Sequence, residues 1–276
     1  MKTTPPAGQA GAPGAPSKTT AAAPDWSPAT YLKFEDERTR PARDLLAQVP
    51  LARARKVVDV GCGPGNSTEL LVQRWPDAEV VGLDNSPAML DEARRRLPSV
   101  RFEAADAATW IPDPDVDLVY ANATYQWIAD HLQQLPKVLA ALRPGAVLAV
   151  QMPDNVAEAT HRLMQEVGEA GPWAARVAGA RRVPLPPPRV YYEALAPHAA
   201  RVEVWHIDYN YILADAAAIV AFVRSTGLRP YLDPLSEPER TAFVAAYTAK
   251  IAAAYPPLAD GRVMLRFPRL FLVARR

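Results

Sequence analysis

Short apolar runs alternate with amphipathic stretches through the middle of the chain. Each run has the length of a β-strand, and the stretches between them carry apolar residues at helical spacing. Strand and helix units in this succession predict an α/β fold built on a parallel sheet. The predicted strands are 56–60, 79–84, 100–106, 116–122 and 146–152.

The pattern changes after residue 152. Residues 153–198 read as helical fragments around a cluster of prolines, and 212–258 as further helices, so these two segments predict a helical cap on the sheet. A last strand is predicted at 263–273, interrupted by Pro268 and therefore bulged or at a sheet edge there. The other elements predicted in this part are a strand at 201–211 and helices at 215–226 and 236–255.

Three glycines, Gly61, Gly63 and Gly65, end the first predicted strand abruptly. Glycine accepts positive φ and lets a ligand approach the backbone, so some of these positions are expected to have φ above zero. A helix is predicted directly afterwards, with Asn66 as its N-cap and Glu69 at the capping-box spacing. Because the first N–H groups of a helix are unpaired, the turn predicts a nucleotide cradle; a tight turn without a ligand is the alternative.

The glycine spacing distinguishes between nucleotides. The turn reads G-x-G-x-G, whereas the dinucleotide fingerprint is G-x-G-x-x-G, and position 66 is Asn. An oxidoreductase with a nicotinamide cofactor would use the same sheet but requires the second spacing. Asp59, just before the turn, suits a ligand that carries a cation or an amine rather than a diphosphate.

Asp84 ends the second predicted strand beside the glycine turn. The carboxyl ends of parallel strands meet at one edge of the sheet, so its carboxylate is placed to accept hydrogen bonds from both ribose hydroxyls of a nucleotide. Ser86 and Pro87 then predict a helix start. Met89 follows at helical spacing, where it either packs in the core or contacts an adenine.

Composition and charge limit the partners. The 276 residues suit one α/β domain with a cap, expected at 25–276, and a net charge of +1 gives no basis for binding nucleic acid or an acidic membrane. The single cysteine fits a reducing compartment, and no apolar run approaches the ~20 residues that span a bilayer. A cytoplasmic protein is expected and a monomer is favoured. Residues 1–24, rich in Pro, Ala and Gly, are expected to be disordered.

The stretch KVVDVGCGPGNSTEL at 56–70 resembles motif I of the class I S-adenosylmethionine-dependent methyltransferases. Further stretches narrow the resemblance to the trans-aconitate methyltransferases within that family. They are WSPATYLKF at 26–34, ANATYQW at 121–127, QMPDN at 151–155, TGLRPYL at 226–232 and FPRLFLVARR at 267–276. The likeness covers about 26–276 and departs from the family at Tyr231, where bacterial members are expected to have Trp.

The resemblance implies a Rossmann-like, seven-stranded, mostly parallel sheet with its last strand antiparallel. It also implies S-adenosyl-L-methionine as cofactor and S-adenosyl-L-homocysteine as product. In this family a carboxylate at the position of Asp106 accepts from the adenine amino group, and the N–H of the next residue, here Ala107, donates to the ring. The predicted cofactor-binding residues are Asp59, Gly61, Gly63, Gly65, Asn66, Asp84, Asn85, Met89, Asp106, Ala107 and Asn122.

The reaction that the resemblance implies is attack of a carboxylate oxygen of a small tricarboxylic acid on the sulfonium methyl group. A carboxyl group with a pKa of about 4 is already ionised at neutral pH, so no general base and no obligatory catalytic residue are required. Arg229 is predicted to clamp a substrate carboxylate through its planar fork, and Tyr31 to close over the cofactor. No histidine spacing suggests a metal site. The predicted substrate-contacting residues are Tyr31, Gln126, Trp127, Tyr191, Tyr192 and Arg229, with packing or surface roles as the alternative.

Two other functions stay open at this point. One is a methyltransferase for another small or carrier-bound carboxylic acid, and the other is a non-catalytic S-adenosylmethionine-binding protein. The sequence does not separate them, because direct methyl transfer leaves no obligatory nucleophile to look for.

Overall fold

A seven-stranded sheet forms the centre of the fold. The computed structural model of the protein describes residues 35–224 and 226–276, so the predicted tail at 1–24 lies outside the described residues. The strands are β1 (Lys56–Val60), β2 (Glu79–Asp84), β3 (Arg101–Ala104), β4 (Leu118–Asn122), β5 (Val147–Pro153), β6 (Arg201–Leu213) and β7 (Val263–Arg275). Their order is β3-β2-β1-β4-β5-β7-β6; β1 to β5 are parallel, and β7 runs antiparallel to β5 and β6. The predicted Rossmann-like, mostly parallel sheet with an antiparallel last strand is confirmed.

Helices cover both faces of the sheet. Val57 of β1 packs in one core, and its neighbours Val58 and Val60 pack in the core of the opposite face. Burial on both faces explains why this strand reads as a continuous apolar run. The α-helices of the described ranges are α1 (Glu35–Ala47), α2 (Asn66–Arg74), α3 (Pro87–Arg96), α4 (His131–Ala141), α5 (Ala159–Ala170), α6 (Ala174–Val177), α7 (Pro188–Leu195), α8 (Ala216–Arg224), α9 (Arg229–Leu232) and α10 (Glu237–Ala254). Within those ranges, no helix has the length and apolar character needed to cross a bilayer.

The segments predicted to form the helical cap pack in two places. Helices α5, α8 and α10 share one core with α1 and α2. Helix α7 instead packs against α4 and β6 on the other face, where its Tyr191 and Leu195 are fully buried. Residues 188–195 therefore belong to the layer that covers the sheet.

Pro268 lies inside β7 without a bulge. The pairing of β7 with β6 continues through the Asp208↔Pro268 register, so the predicted interruption of the strand is wrong. On the other side β5 ends at Pro153, opposite Arg269, and the Pro268 carbonyl accepts from the Asp154 N–H at 3.0 Å. The nitrogen and carbonyl of a residue in an antiparallel strand face the same neighbour, so the missing N–H falls where β5 has ended. An edge position is thus correct for the β5 side alone.

Helix α2 starts without the predicted capping box. Gly65, with φ of 90°, is the N-cap residue, and Asn66 is already helical. The Glu69 carboxylate accepts from Arg96 Nε at 3.0 Å and Nη2 at 2.7 Å, so it joins α2 to α3. The capping prediction is wrong because the left-handed third glycine ends the turn one residue earlier.

The start of α3 is capped as predicted, since the Ser86 hydroxyl accepts from the Met89 N–H at 3.2 Å and Pro87 occupies the first helical position. Ser86→Ala should lower the free energy of unfolding by about 1 kcal/mol, because a buried helix N–H loses its acceptor. Urea unfolding measures this. Ser86→Thr, which keeps the hydroxyl, should lose less; equal losses would show that the hydroxyl does not cap the helix.

Candidate active site

A cavity of about 730 Å³ lies along the carboxyl ends of β2, β1, β4 and β5 and continues to the first half of β7. This is the edge at which open α/β sheets bind ligands, and the volume is typical of small-molecule sites. The strand ends and the loops that follow them form one wall. Residues of α1 and of the predicted cap complete it: Thr39, Ala42, His161, Arg182, Phe222, Thr226 and Gly227.

The glycine turn after β1 forms the floor of this cavity. The φ angles of Gly61, Gly63 and Gly65 are 71°, 54° and 90°, which confirms the predicted positive values. A Cβ on Gly61 would lie 2.1 Å from Thr124 Oγ1, whereas a Cβ on Gly63 would meet no atom of the described residues within 4 Å. Gly61 is therefore required by packing against the loop after β4, and Gly63 leaves backbone open to a ligand.

The Asp84 carboxylate is fixed at the end of β2. Its Oδ2 accepts from the Gly63 N–H at 2.9 Å and its Oδ1 from the Ser86 N–H at 2.9 Å. The side chain is half-buried on the cavity wall, and each ionised carboxylate oxygen can accept a further hydrogen bond. This geometry suits a diol such as a ribose.

The walls beside Asp84 suit the rest of a nucleoside and an amine. Asn85, Met89, Asp106 and Ala107 lie on the same wall. At the end of β4, the Asn122 Oδ1 is buried and has no hydrogen-bond partner among the described residues. A buried acceptor without a partner is a position where a ligand N–H would be favourable.

Asp59 lies beneath the glycine turn and is fully buried, so it does not line the cavity. Its Oδ2 accepts from the hydroxyls of Ser67 and Thr68, both at 2.7 Å, which ties β1 to α2. Burial, opposed by these two hydrogen bonds and assisted by the charge of Asp84, raises the pKa of Asp59 to about 6. The predicted direct contact of Asp59 with a ligand is therefore corrected to a supporting position. Gly65 likewise lies off the cavity wall, against Ala93.

The opposite end of the cavity carries two arginines. Arg269 of β7 is 4% exposed, its Nη1 donates to Gln151 Oε1 at 3.0 Å, and its buried Nε has no partner among the described residues. Arg182, in the loop before α7, lies with its guanidinium carbon 4.6 Å from the ring centre of Trp127. Within the described ranges neither arginine forms an ion pair with a carboxylate. A buried cation without a counter-ion is costly, so this end of the cavity favours an anionic ligand.

His161 also lines the cavity, close enough to Arg182 to be affected by its charge. Burial, followed by the charge of Arg182, lowers the pKa of His161 to about 3, so the imidazole is neutral at neutral pH. Its Nδ1 is 3.1 Å from Thr160 Oγ1. His161 can therefore act as a neutral polar group in this site, and it is not a third cation there.

Comparison with known proteins places the chain in a family. Residues 57–145 match a family model described as a methyltransferase domain. A trans-aconitate 2-methyltransferase of Rhodopseudomonas palustris (strain BisA53) is 59% identical over 91% of this chain and 99% of its own length. One of Azoarcus sp. (strain BH72) is 58% identical over 92% of this chain and 100% of its own length. The chain belongs to the trans-aconitate 2-methyltransferase family.

A solved structure of the same fold is phosphoethanolamine N-methyltransferase 2 of Haemonchus contortus, in complex with S-adenosyl-L-methionine. It aligns with a TM-score of 0.52 and 16% identity over 86% of this chain and 52% of that chain. This likeness agrees with the predicted Rossmann-like fold. The walls fit S-adenosyl-L-methionine: an open backbone at Gly63, a carboxylate for the ribose at Asp84 and a buried acceptor at Asn122. In residues 35–224 and 226–276, no cluster of His, Cys, Asp and Glu is arranged to hold a metal ion.

The residues predicted to contact the substrate do not all reach the cavity. Gln126 and Trp127 line it, and Gln126 Nε2 donates to the Ala123 carbonyl at 2.6 Å. Arg229 lies off the wall, with Nη2 3.5 Å from Asp233 Oδ2 one turn further on. This position does not support its predicted role as a clamp, because its neighbours Thr226 and Gly227 line the cavity and Arg229 does not.

Tyr191 and Tyr192 also lie off the cavity wall. The Tyr191 hydroxyl is 2.8 Å from His131 Nε2 in the core under α7, and Tyr192 is 53% exposed on a shallow surface depression. Both predictions are corrected because α7 covers the sheet and does not roof the cavity. Tyr31 lies outside the described residues, so its predicted role stays a prediction.

Sequence reasoning missed Arg182, Arg269 and His161. Arg269 is the third residue of FPRLFLV at 267–273, an arginine within an otherwise apolar run, and that exception was an available signal. Arg182 follows Arg181 in an irregular stretch, where no periodicity separates an inward side chain from an exposed one. Ala123, on the cavity wall, has φ of 60°, a left-handed conformation that an alanine in the sequence does not predict.

Gly61 and Gly63 have different surroundings, so substitutions at the two positions should differ in their effects on stability and on cofactor affinity. Gly61→Ala should lower the free energy of unfolding by more than about 2 kcal/mol, because the left-handed strain adds to a collision with Thr124. Gly63→Ala should cost only about 1–2 kcal/mol of strain, but its methyl group would enter the cavity and weaken cofactor binding at least about tenfold. Urea unfolding and calorimetry with S-adenosyl-L-homocysteine measure the two effects.

Gly261→Ala is a matched control for Gly63→Ala. Gly261 also has a positive φ, 82°, and open space where a Cβ would lie, but it is off the cavity wall. It should show the same loss of stability with unchanged cofactor affinity. Wild-type affinity in Gly63→Ala would mean that the ligand does not lie against this backbone.

The raised pKa of Asp59 predicts a pH-dependent stability. A proton binds more tightly to the folded protein than to the unfolded chain, so stability falls as pH rises from the ordinary value of 3.8 through about 6. Asp59→Asn keeps an acceptor oxygen and removes this loss. It should match wild type near about pH 4 and exceed it by about 2–3 kcal/mol above about pH 7. Urea unfolding across this range measures the difference; a difference independent of pH would refute the raised pKa.

Proposed function

We propose that this protein transfers the methyl group of S-adenosyl-L-methionine to a carboxylate oxygen of trans-aconitate, giving a monomethyl ester and S-adenosyl-L-homocysteine. The observation that carries the proposal is the division of charge along the cavity. Apart from the exposed Asp130 on the loop after β4, the carboxylates of the wall, Asp84 and Asp106, stand at one end, and Arg182 and Arg269, without carboxylate partners among the described residues, stand at the other. A polar nucleoside with an amine suits the first end, and a multiply charged acid suits the second.

When bound, S-adenosyl-L-methionine supplies a methyl group on a positively charged sulfur. Asp84 would hold its ribose hydroxyls, and the Gly63 backbone would let its chain lie on the floor. Asn122 Oδ1 would accept from its amine, and Asp106 with the Ala107 N–H would bind the adenine. Trp127 and Gln126, which follow β4 in the middle of the strand order, line the cavity and would border the reacting atoms.

The acid needs no general base. A carboxylate lone pair forms the new O–C bond while the C–S bond breaks and its electron pair stays on sulfur, so no proton moves. The neutral state of His161 agrees with this, because the imidazole can donate a hydrogen bond without taking part in proton transfer. What the chain contributes is the in-line placement of a flexible, highly charged molecule.

The arginines provide that placement. A guanidinium binds a carboxylate through two parallel hydrogen bonds, which fixes its orientation as well as its position. Arg269 is held by Gln151 and Arg182 by the Trp127 ring, so both are ordered before an acid binds. Another small carboxylic acid is the second candidate substrate, since the same two groups would bind it. A cytoplasmic location and a monomeric state remain predictions.

Incubation with S-adenosyl-L-methionine and a panel of di- and tricarboxylates, with methyl esters read by mass spectrometry, tests the proposal. Trans-aconitate should give a monomethyl ester with the highest kcat/KM. Faster methylation of another acid would favour the second candidate, and cofactor binding without any ester would indicate a non-catalytic protein.

Asp84→Ala should weaken cofactor binding by about 1.5–3 kcal/mol, because charge-assisted hydrogen bonds to the ribose are lost.

A further inference from the structure

The two arginines of the cavity occupy different kinds of position. Arg269 lies on a strand in the sheet, opposite Pro153 at the end of β5, and its side chain is buried. Arg182 lies in the irregular stretch after the short 3-10 turn Ala178–Ala180, half-buried on the Trp127 ring. A strand position in a central sheet is more rigid than a loop position. Arg269 is therefore the more rigidly placed of the two arginines.

The sheet sets the distance between Arg269 and the cofactor groups. Asn122 ends β4, and β7 is two strands further along, so Arg269 stands roughly 10 Å from Asn122 in the direction across the sheet. A single carboxylate group is much smaller than this distance, so the carboxylate that binds Arg269 does not also lie at the end of β4. An acid anchored at Arg269 would therefore direct a different carboxylate toward β4.

The chemistry also separates the reacting carboxylate from the arginines. The negative charge of that carboxylate disappears as the ester forms, so a cation bound to it would stabilise the reactant more than the transition state. Cations are better placed on carboxylates that keep their charge. At the end of β4 and in the turn after it, the wall carries the neutral amide side chains of Asn122 and Gln126 instead.

We propose that Arg269 and Arg182 each bind one of the two carboxylates that are not methylated, so that the pair selects the third carboxylate as the methyl acceptor. The assignment rests on the proposed function and adds the basis of its selectivity. It makes Arg269 and Arg182 substrate-positioning residues. An acid with three carboxylates satisfies both arginines and still presents one to the methyl group, whereas a dicarboxylate leaves one position empty.

Calorimetry with S-adenosyl-L-homocysteine present tests the assignment without turnover. The ligands are trans-aconitate and three dicarboxylates, itaconate, glutaconate and mesaconate, each of which lacks a different carboxylate of trans-aconitate. Arg269→Gln and Arg182→Gln should each bind trans-aconitate about ten- to a hundredfold more weakly. One dicarboxylate should bind Arg269→Gln as it binds wild type, a different one should be insensitive to Arg182→Gln, and the third should be weakened by both.

Arg229→Gln is the matched control, because Arg229 is an arginine of the same region that lies off the cavity wall. It should bind all four acids like wild type. Arg269→Lys, which keeps the charge without the fork, should bind trans-aconitate with intermediate affinity, and thermal unfolding of each variant checks that it is folded. Insensitivity of the same dicarboxylate to both Gln variants, or unchanged binding of trans-aconitate in either, overturns the assignment.

The position of the ester gives a second readout that a purely structural role would not change. Wild type should give one monomethyl isomer by NMR, and Arg269→Gln a mixture of isomers. If wild type forms no ester but its binding follows the pattern above, the proposed reaction fails, and only the binding of one carboxylate by each arginine stands. If wild type forms the ester and both Gln variants keep its affinity and isomer, the assignment fails and the reaction stands. Failure of wild type to bind any tricarboxylate overturns both.

Discussion

The hydrogen bond from the Gly63 N–H to the Asp84 carboxylate fixes the half of the cavity that receives the nucleoside. It joins the turn after β1 to the end of β2, and it requires the left-handed backbone that Gly63 adopts. The same carboxylate raises the pKa of Asp59 beneath the turn, after the larger effect of burial. The carboxylates of Asp59 and Asp84 thus both lie close to the glycine turn, and only Asp84, which accepts from backbone N–H groups, lines the cavity.

Charge changes sign along the cavity because the strand order separates the charged residues. Asp84 on β2 and Arg269 on β7 are four strand spacings apart, roughly 19 Å across the sheet. A cationic sulfur placed between them is attracted to one end and repelled by the other. Carboxylates bound at the arginines reverse that repulsion, so the acid and the cofactor would favour each other's binding by electrostatics alone.

Local patterns predicted the strands and the glycine turn at one end of the cavity, but not which side chains line the other end. β1, β2, the positive φ angles of the glycines and the position of Asp84 follow from neighbouring residues and from parallel strand order. The position of Arg269 depends on the antiparallel return of β7 beside β5, a contact between distant segments. The predicted capping box is absent because the N-cap is the left-handed Gly65, one residue before the predicted Asn66.

The cap shows why residue type alone misplaces a site. Arg229 sits in a turn whose neighbours do reach the cavity, but a helical turn carries its side chain to Asp233 instead. Tyr191 has the aromatic hydroxyl that a substrate site uses, and α7 directs it into the core beside His131. In both cases the packing face of a short helix decides the outcome, and a helix of four to eight residues has too little periodicity for the sequence to define that face.

The reaction itself explains why so few groups need to be ionisable near the methyl. A sulfonium cation and one carboxylate anion become a thioether and a neutral ester group, so the charge on the reacting atoms decreases as the bond forms. A transition state with less charge than the reactants is favoured where water is excluded. Neutral amides at the end of β4 preserve that advantage, whereas a cation at the same point would oppose it. Arg269 can contribute only from a distance, through a carboxylate that keeps its charge, and the width of the sheet between β4 and β7 provides that distance.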